Sequence, residues 1–101
     1  MNFNKILKLL QQDDFSEISN HGRWIAAESV MYAKEITENI FLLFVLNQEL
    51  NNKSVKAMIA KFDCLENISL QKPKQLMFYL TLEKTDDLHY FEKYMNISQL
   101  Q

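Results

Sequence analysis

The sequence predicts an all-α fold: a compact bundle of about five to seven short helices around a central apolar helix at about residues 39–50. Two observations support this prediction. The 101 residues include one glycine and one proline, whereas the turns of sheet proteins draw on both for their special dihedral angles. Apolar residues also recur at helical spacing in several segments. Because the length suits one domain, we predict a single helical domain over residues 1–101.

The first third of the chain predicts three helices. Four apolar residues lie at positions i, i+3, i+4 and i+7 and indicate the first helix: Phe3, Ile6, Leu7 and Leu10. An aspartate at 13 or 14 caps a short second helix, which Gly22 ends. The segment 23–36 is interpreted as the third helix.

The central feature is an uninterrupted apolar run, Ile40–Leu46, between two asparagines. It is far shorter than the roughly 20 residues that a membrane-spanning helix needs, so we predict no membrane span. Ile36 and Leu50 extend helical spacing beyond both ends of the run. A helix that is apolar all round is surrounded by protein, which places this helix at the centre. A buried strand is the alternative that so short a run leaves open.

The second half predicts three further helices. One carries an apolar stripe of Val55, Met58, Ile59, Phe62 and Leu65. Pro73 suits the first turn of the next, and Thr85 opens the last. The segment 75–83 resists this interpretation because its apolar residues also alternate with period two. A short strand at 75–83 is therefore the alternative to a helix there.

The sequence offers no chemistry that would make the chain an enzyme. It lacks glycine-rich phosphate loops, HExxH, CxxC and GxSxG, and its two histidines are far apart, so we predict no catalytic residue, cofactor or metal. The single cysteine forms no internal disulfide, and no secretion signal is evident, which together predict a cytoplasmic protein. A net charge of −2 with one arginine argues against nucleic-acid binding.

A candidate protein-binding face lies on the predicted third helix. Trp24, Glu28, Met31 and Glu35 would share one side of it, and three acidic residues precede it: Asp13, Asp14 and Glu17. Tryptophan is enriched among interface residues that dominate binding energy. Surrounding carboxylates would attract a basic partner. We therefore predict that these seven residues bind another protein.

The predicted function is non-catalytic protein binding, most simply by a small bacterial inhibitor of a partner protein. Bacterial immunity proteins and antitoxins, which neutralise a cognate toxin by occluding its active site, are often small and helical. This analogy is at class level, and no residue motif supports it. A basic toxin or nuclease would suit the acidic face. The alternatives are a self-associating structural or regulatory subunit, which would form a homo-oligomer, and a small nucleic-acid-binding regulator.

Overall fold

The chain folds around a five-stranded antiparallel sheet whose strands follow one another in sequence order. The computed structural model describes residues 3–49 and 52–95. Helix α1 comes first, and two 3₁₀ helices flank the last strand. The bounds are α1 Phe3–Gln12, β1 Ser16–Ile18, β2 Val30–Thr37, β3 Ile40–Glu49, β4 Asn52–Lys61, 3₁₀ helix Leu65–Ser69, β5 Gln75–Leu82 and 3₁₀ helix Thr85–Tyr94.

The all-α prediction is wrong, and the predicted central helix at 39–50 is the middle strand β3 of the sheet. Its last predicted residue, Leu50, lies outside the described residues. The apolar run is nevertheless central, because β3 pairs with β2 on one side and with β4 on the other. Successive side chains of a strand point to opposite faces. Seven apolar residues in a row therefore fit a strand that is covered on both faces.

One face of the sheet, here called the α1 face, packs against helix α1 and the 3₁₀ helix Thr85–Tyr94. Leu42, Phe44 and Leu46 of β3 point to this face and are fully buried. The Phe44 ring contacts those of Phe15 and Phe91 edge-on, each with its centroid 5.6 Å away. These contacts make Phe44 a centre of the first core.

The opposite face, here called the Trp24 face, packs against the segment 20–29 and the 3₁₀ helix Leu65–Ser69. Phe41, Leu43 and Val45 of β3 point to it and are buried. The segment 20–29 was predicted to be mostly helix, but it is an irregular loop followed by strand β2. This loop closes a second core, and the sheet is thus the middle layer of three.

The sheet forms with few glycines because asparagine and aspartate supply the turn conformations. The two-residue connection between β2 and β3 contains Asn39 with φ of 63°, and Asp14 after α1 also has φ of 63°. These two residue types enter the left-handed region more readily than other side chains. Gly22, which also has a positive φ of 70°, is in the loop 20–29 instead of ending a helix.

The prediction of the first helix is confirmed, and at 75–83 the helix is absent and the strand left open as the alternative is present. Helix α1 occupies the segment with the first helical stripe, and Ile6 and Leu10 of that stripe are fully buried. The alternative of a strand at 75–83 corresponds to β5, which is Gln75–Leu82. In the described ranges, no helix combines the length and the apolar character that crossing a membrane would require.

Candidate functional site

The structure does not place the predicted binding residues on one helical face, because that helix does not exist. Met31 lies on β2 with its side chain fully buried in the Trp24-face core. Trp24 is half-buried in the loop, and Glu28 is exposed further along it. Glu17 is exposed on β1, where it accepts a hydrogen bond from the Tyr32 hydroxyl at 3.1 Å. The predicted set is therefore divided between a core, a loop and one sheet edge.

Two of the predicted acids do come together in a groove that we call the acidic groove. Asp14 and Glu35 line this space of about 470 Å³, together with Asp63 and Cys64. The Glu35 carboxylate accepts a hydrogen bond from the Asn39 backbone N–H at 3.0 Å, which secures the β2–β3 turn. Asp13 instead lies 3.7 Å from the Lys34 ammonium. No group of His, Cys, Asp and Glu in the described parts of the chain has an arrangement that could hold a metal ion.

The most unusual surface of the molecule is strand β5, which forms one edge of the sheet. Four consecutive large apolar side chains are exposed there, and we call them the edge patch: Leu76 (53% exposed), Met77 (47%), Phe78 (40%) and Tyr79 (47%). At about half exposure each, they leave roughly 300–400 Å² of mainly apolar surface open to solvent. Phe78 lies on the α1 face beside Phe91, whereas Leu76 and Tyr79 lie on the Trp24 face, so this apolar surface is on both sides of the strand. Its total extent is in the range of the largest apolar patch on a typical monomer, and such patches are often functional.

Edge strands usually carry features that prevent pairing with another chain, such as charges, prolines or very short length. The opposite edge of the sheet has two of these protective features, because β1 contains only three residues and exposes the charged Glu17. Strand β5 has eight residues and contains neither a charge nor a proline. Its one irregularity is a bulge opposite Ile59 and Ala60 of β4. Bulges can protect an edge, but they also occur beside functional sites.

The loop 20–29 stands beside this edge, and side-chain hydrogen bonds fix its shape. The Asn20 amide donates to the carbonyl oxygens of Ala26 at 2.7 Å and Ser29 at 3.0 Å. Its own carbonyl accepts from the Gly22 N–H at 3.0 Å. The Trp24 indole N–H donates to the Ile68 carbonyl at 2.6 Å. The loop is thus joined to the 3₁₀ helix Leu65–Ser69 across the Trp24 face.

A groove of about 490 Å³ separates this loop from β5, and we call it the Trp24 groove. Six apolar side chains line most of it: Trp24, Ile25, Val45, Met58, Leu76 and Tyr79. Lys56 and Lys72 also line it, and no carboxylate does. Leu76 and Tyr79 belong to both the groove and the edge patch, so these two side chains connect the groove to the β5 edge.

We expect Trp24→Phe to lower the free energy of unfolding by about 1–3 kcal/mol, because the Ile68 carbonyl loses its indole donor. Phenylalanine keeps an apolar ring against Phe62, whose centroid lies 6.0 Å from that of Trp24. Urea unfolding followed by circular dichroism measures the effect, since the variant lacks the chain's only tryptophan. As a control, Tyr79→Phe at an exposed site should change stability by less than about 0.5 kcal/mol. Equal stability of Trp24→Phe and wild type would contradict a structural role for this hydrogen bond.

Sequence reasoning missed both parts of this surface, although one signal was present. The alternation of apolar residues at 75–83 indicated a strand, but an edge position depends on strand order. The groove joins residues from the loop and from β3, β4 and β5, and only the tertiary fold brings these together. The sequence places Trp24 on a helical face that is absent, and the structure places it in one wall of this groove.

Comparisons with protein-family models, with curated proteins and with solved structures gave no match to this chain. The fold defines its class: an antiparallel sheet in sequential strand order, covered on both faces, with one long apolar edge left open. The function must therefore be inferred from the chemistry of the described residues.

Proposed function

We propose that this chain is a non-catalytic domain that binds another protein by adding an extended segment of that protein to the β5 edge. The observation that carries the proposal is the edge patch: four exposed apolar side chains on a strand without protective charges. In strand addition, backbone hydrogen bonds supply affinity and alternate side chains supply specificity. Both elements are present at β5, whose outer side has no neighbouring strand among the described residues.

This proposal changes the predicted surface and keeps the predicted class of function. Inhibition of a toxin is one role that such binding would serve, and it stays a prediction, as does a cytoplasmic location. The acidic groove is the remaining part of the predicted acidic face. Two of its three carboxylates already have internal partners, Asn39 for Glu35 and Lys74 for Asp63. In the edge patch, Phe78 contacts Phe91, but about half of each of the other three apolar side chains is exposed, which favours this edge as the binding surface.

A selection from a displayed library of random peptides tests the proposal without a known partner. We expect peptides of extended, alternating pattern to be enriched. Hydrogen exchange should then show that a bound synthetic peptide slows exchange of β5 amides, because added backbone hydrogen bonds protect them. The amides of β1, which forms the opposite edge of the sheet, provide the internal control. Failure to enrich any peptide, or protection confined to other elements, would overturn the proposal.

We expect Met77→Asp to weaken binding of a selected peptide at least about tenfold, or about 1.4 kcal/mol. Aspartate is disfavoured in strands and brings a charge to the apolar edge. Met77 is half-exposed, so the unfolding free energy should change little. Leu70→Asp is the matched control, because Leu70 is 49% exposed and lies outside β5. Fluorescence anisotropy of the labelled peptide gives both dissociation constants.

Equal binding by the Met77 and Leu70 variants would show that the peptide does not use the edge. Sedimentation of the protein without peptide then measures its oligomeric state and tests whether the edge binds a second copy of the chain. A wild-type dimer that becomes monomeric in Met77→Asp would assign the edge to a second copy of the chain and overturn the proposal. Self-association and nucleic-acid binding otherwise stay predictions.

A further inference from the structure

We propose that the Trp24 groove selects partner segments in which a large apolar side chain is accompanied, two residues away, by an aspartate or glutamate. This inference rests on the proposed function and specifies the chemistry of the partner. The groove would take the apolar side chain, and Lys56 and Lys72 would hold the carboxylate. The occupant is thus an acidic, extended segment of another protein.

The position of the groove follows from the alternation of side chains in a strand. A segment paired with β5 would send every second side chain to the Trp24 face. On that face, Leu76 and Tyr79 form one wall of the groove, because the β5 bulge between them brings both side chains to the same side. Trp24 and Ile25 belong to the loop opposite. A side chain from the added strand therefore meets an apolar surface that is already shaped. The volume of about 490 Å³ is in the range of known ligand sites.

The charge preference follows from the two lysines. Neither the Lys56 nor the Lys72 ammonium pairs with a carboxylate of the described residues. No acidic side chain lines the groove, although the whole chain carries a net charge of −2. Two unpaired cations beside an apolar surface favour an anionic partner and disfavour a cationic one.

The Lys56 side chain is long enough to reach a carboxylate on an added strand. Lys56 is on β4 opposite Thr81 of β5 and points to the Trp24 face, because it alternates with Val55 and Ala57 of the α1 face. An added strand would lie two strand spacings, about 9–10 Å, from β4. An extended lysine and a glutamate can span that distance together. Residues i and i+2 of the added strand share a face, which sets the predicted spacing between the apolar and the acidic residue.

Trp24 itself contributes a rigid wall. Its indole N–H is held by the Ile68 carbonyl, and its ring lies against Phe62. A wall that is fixed before binding lowers the ordering cost of association. The same hydrogen bond and ring contact keep the indole in place as a side wall, which favours an inserted peptide side chain over stacking of successive nucleic-acid bases.

The peptide selection also tests this inference. The residue types enriched at each peptide position are compared between the wild-type protein and a variant in which both lysines are replaced by glutamate. With wild type, we expect Asp or Glu to be enriched at position i+2 or i−2 from an aromatic or leucine residue. With Lys56→Glu/Lys72→Glu, the same positions should change to Lys or Arg. Enriched peptides that bind β5 without any charge preference would overturn this inference and leave the proposed function intact.

A single pair of variants gives the quantitative comparison. Lys72→Glu should weaken binding of a selected acidic peptide about tenfold, and raising the salt concentration should reduce the difference through screening. Lys8→Glu makes the same change of net charge at an exposed position on α1, away from the groove. Equal losses of peptide affinity in both variants would show that the effect comes from the overall charge of the protein, and would overturn the inference. Displacement of the peptide by an oligothymidine of about ten nucleotides would instead assign the two lysines to phosphate binding.

Discussion

Replacing Phe44 by alanine is expected to lower the free energy of unfolding by about 3–5 kcal/mol, one of the two largest effects that we predict. Phe44 is fully buried on the central strand, and its ring makes edge contacts with Phe15 and Phe91. The substitution removes apolar contacts and leaves a cavity among residues from β3, from the chain after α1 and from the last 3₁₀ helix. Urea unfolding followed by far-UV circular dichroism measures the loss.

Phe78 provides a matched control for this experiment. It is also a phenylalanine, and its ring lies 5.8 Å from the same Phe91 ring. It is on the edge strand, however, and 40% of it is exposed. We expect Phe78→Ala to cost about 1–2 kcal/mol, because less apolar surface leaves a buried environment. Equal losses at Phe44 and Phe78 would contradict the difference between a central and an edge strand.

The sequence located the core better than it located the secondary structure. Residues 40–46 were predicted to be central, and their side chains are buried apart from the half-buried Ile40. A helix and a two-sided strand both require such a continuous apolar run when protein surrounds them. Hydrophobicity alone therefore specified burial here and left the backbone conformation undecided.

The error in fold class came from the turns. Scarce glycine predicts few sheet turns, but Asn39 adopts the positive φ of the β2–β3 turn. The Glu35 carboxylate then stabilises that turn through the Asn39 N–H. After helix α1, Asp14 likewise adopts a positive φ, and the Phe15 N–H donates to the Leu10 carbonyl at 3.2 Å. An inventory that counted asparagine and aspartate as turn residues would have favoured a sheet more strongly.

The candidate site was less accessible to sequence reasoning than the core. Its residues come from a loop, three strands and the segment before β5, and their proximity depends on strand order. Lys56 illustrates the difficulty, because in the sequence it resembles any solvated lysine between apolar residues. Its significance depends on Leu76 and Tyr79, which lie some twenty residues further along the chain and face the same groove. Charge patterning along the chain cannot report such a convergence.

Leu43 tests the second core independently of the first. It is the residue before Phe44, and its fully buried side chain points to the Trp24 face. In a sheet with one wet face, two adjacent residues could not both be costly to truncate, because one would face water. Here both faces are covered, and we expect Leu43→Ala to cost about 2–5 kcal/mol.

The exposed Leu76 is the control for Leu43, since the same Leu→Ala change at a half-exposed edge position should cost less than about 1 kcal/mol. Urea unfolding of the three proteins, followed by circular dichroism, gives the comparison. A domain of this size is stable by only about 5–15 kcal/mol, so a fully buried leucine removes a measurable share of the total. A loss below about 1 kcal/mol at Leu43 would mean that the loop 20–29 does not cover the sheet in solution. The Trp24 groove would then lack its outer wall, and the selectivity proposed for it would fail together with this prediction.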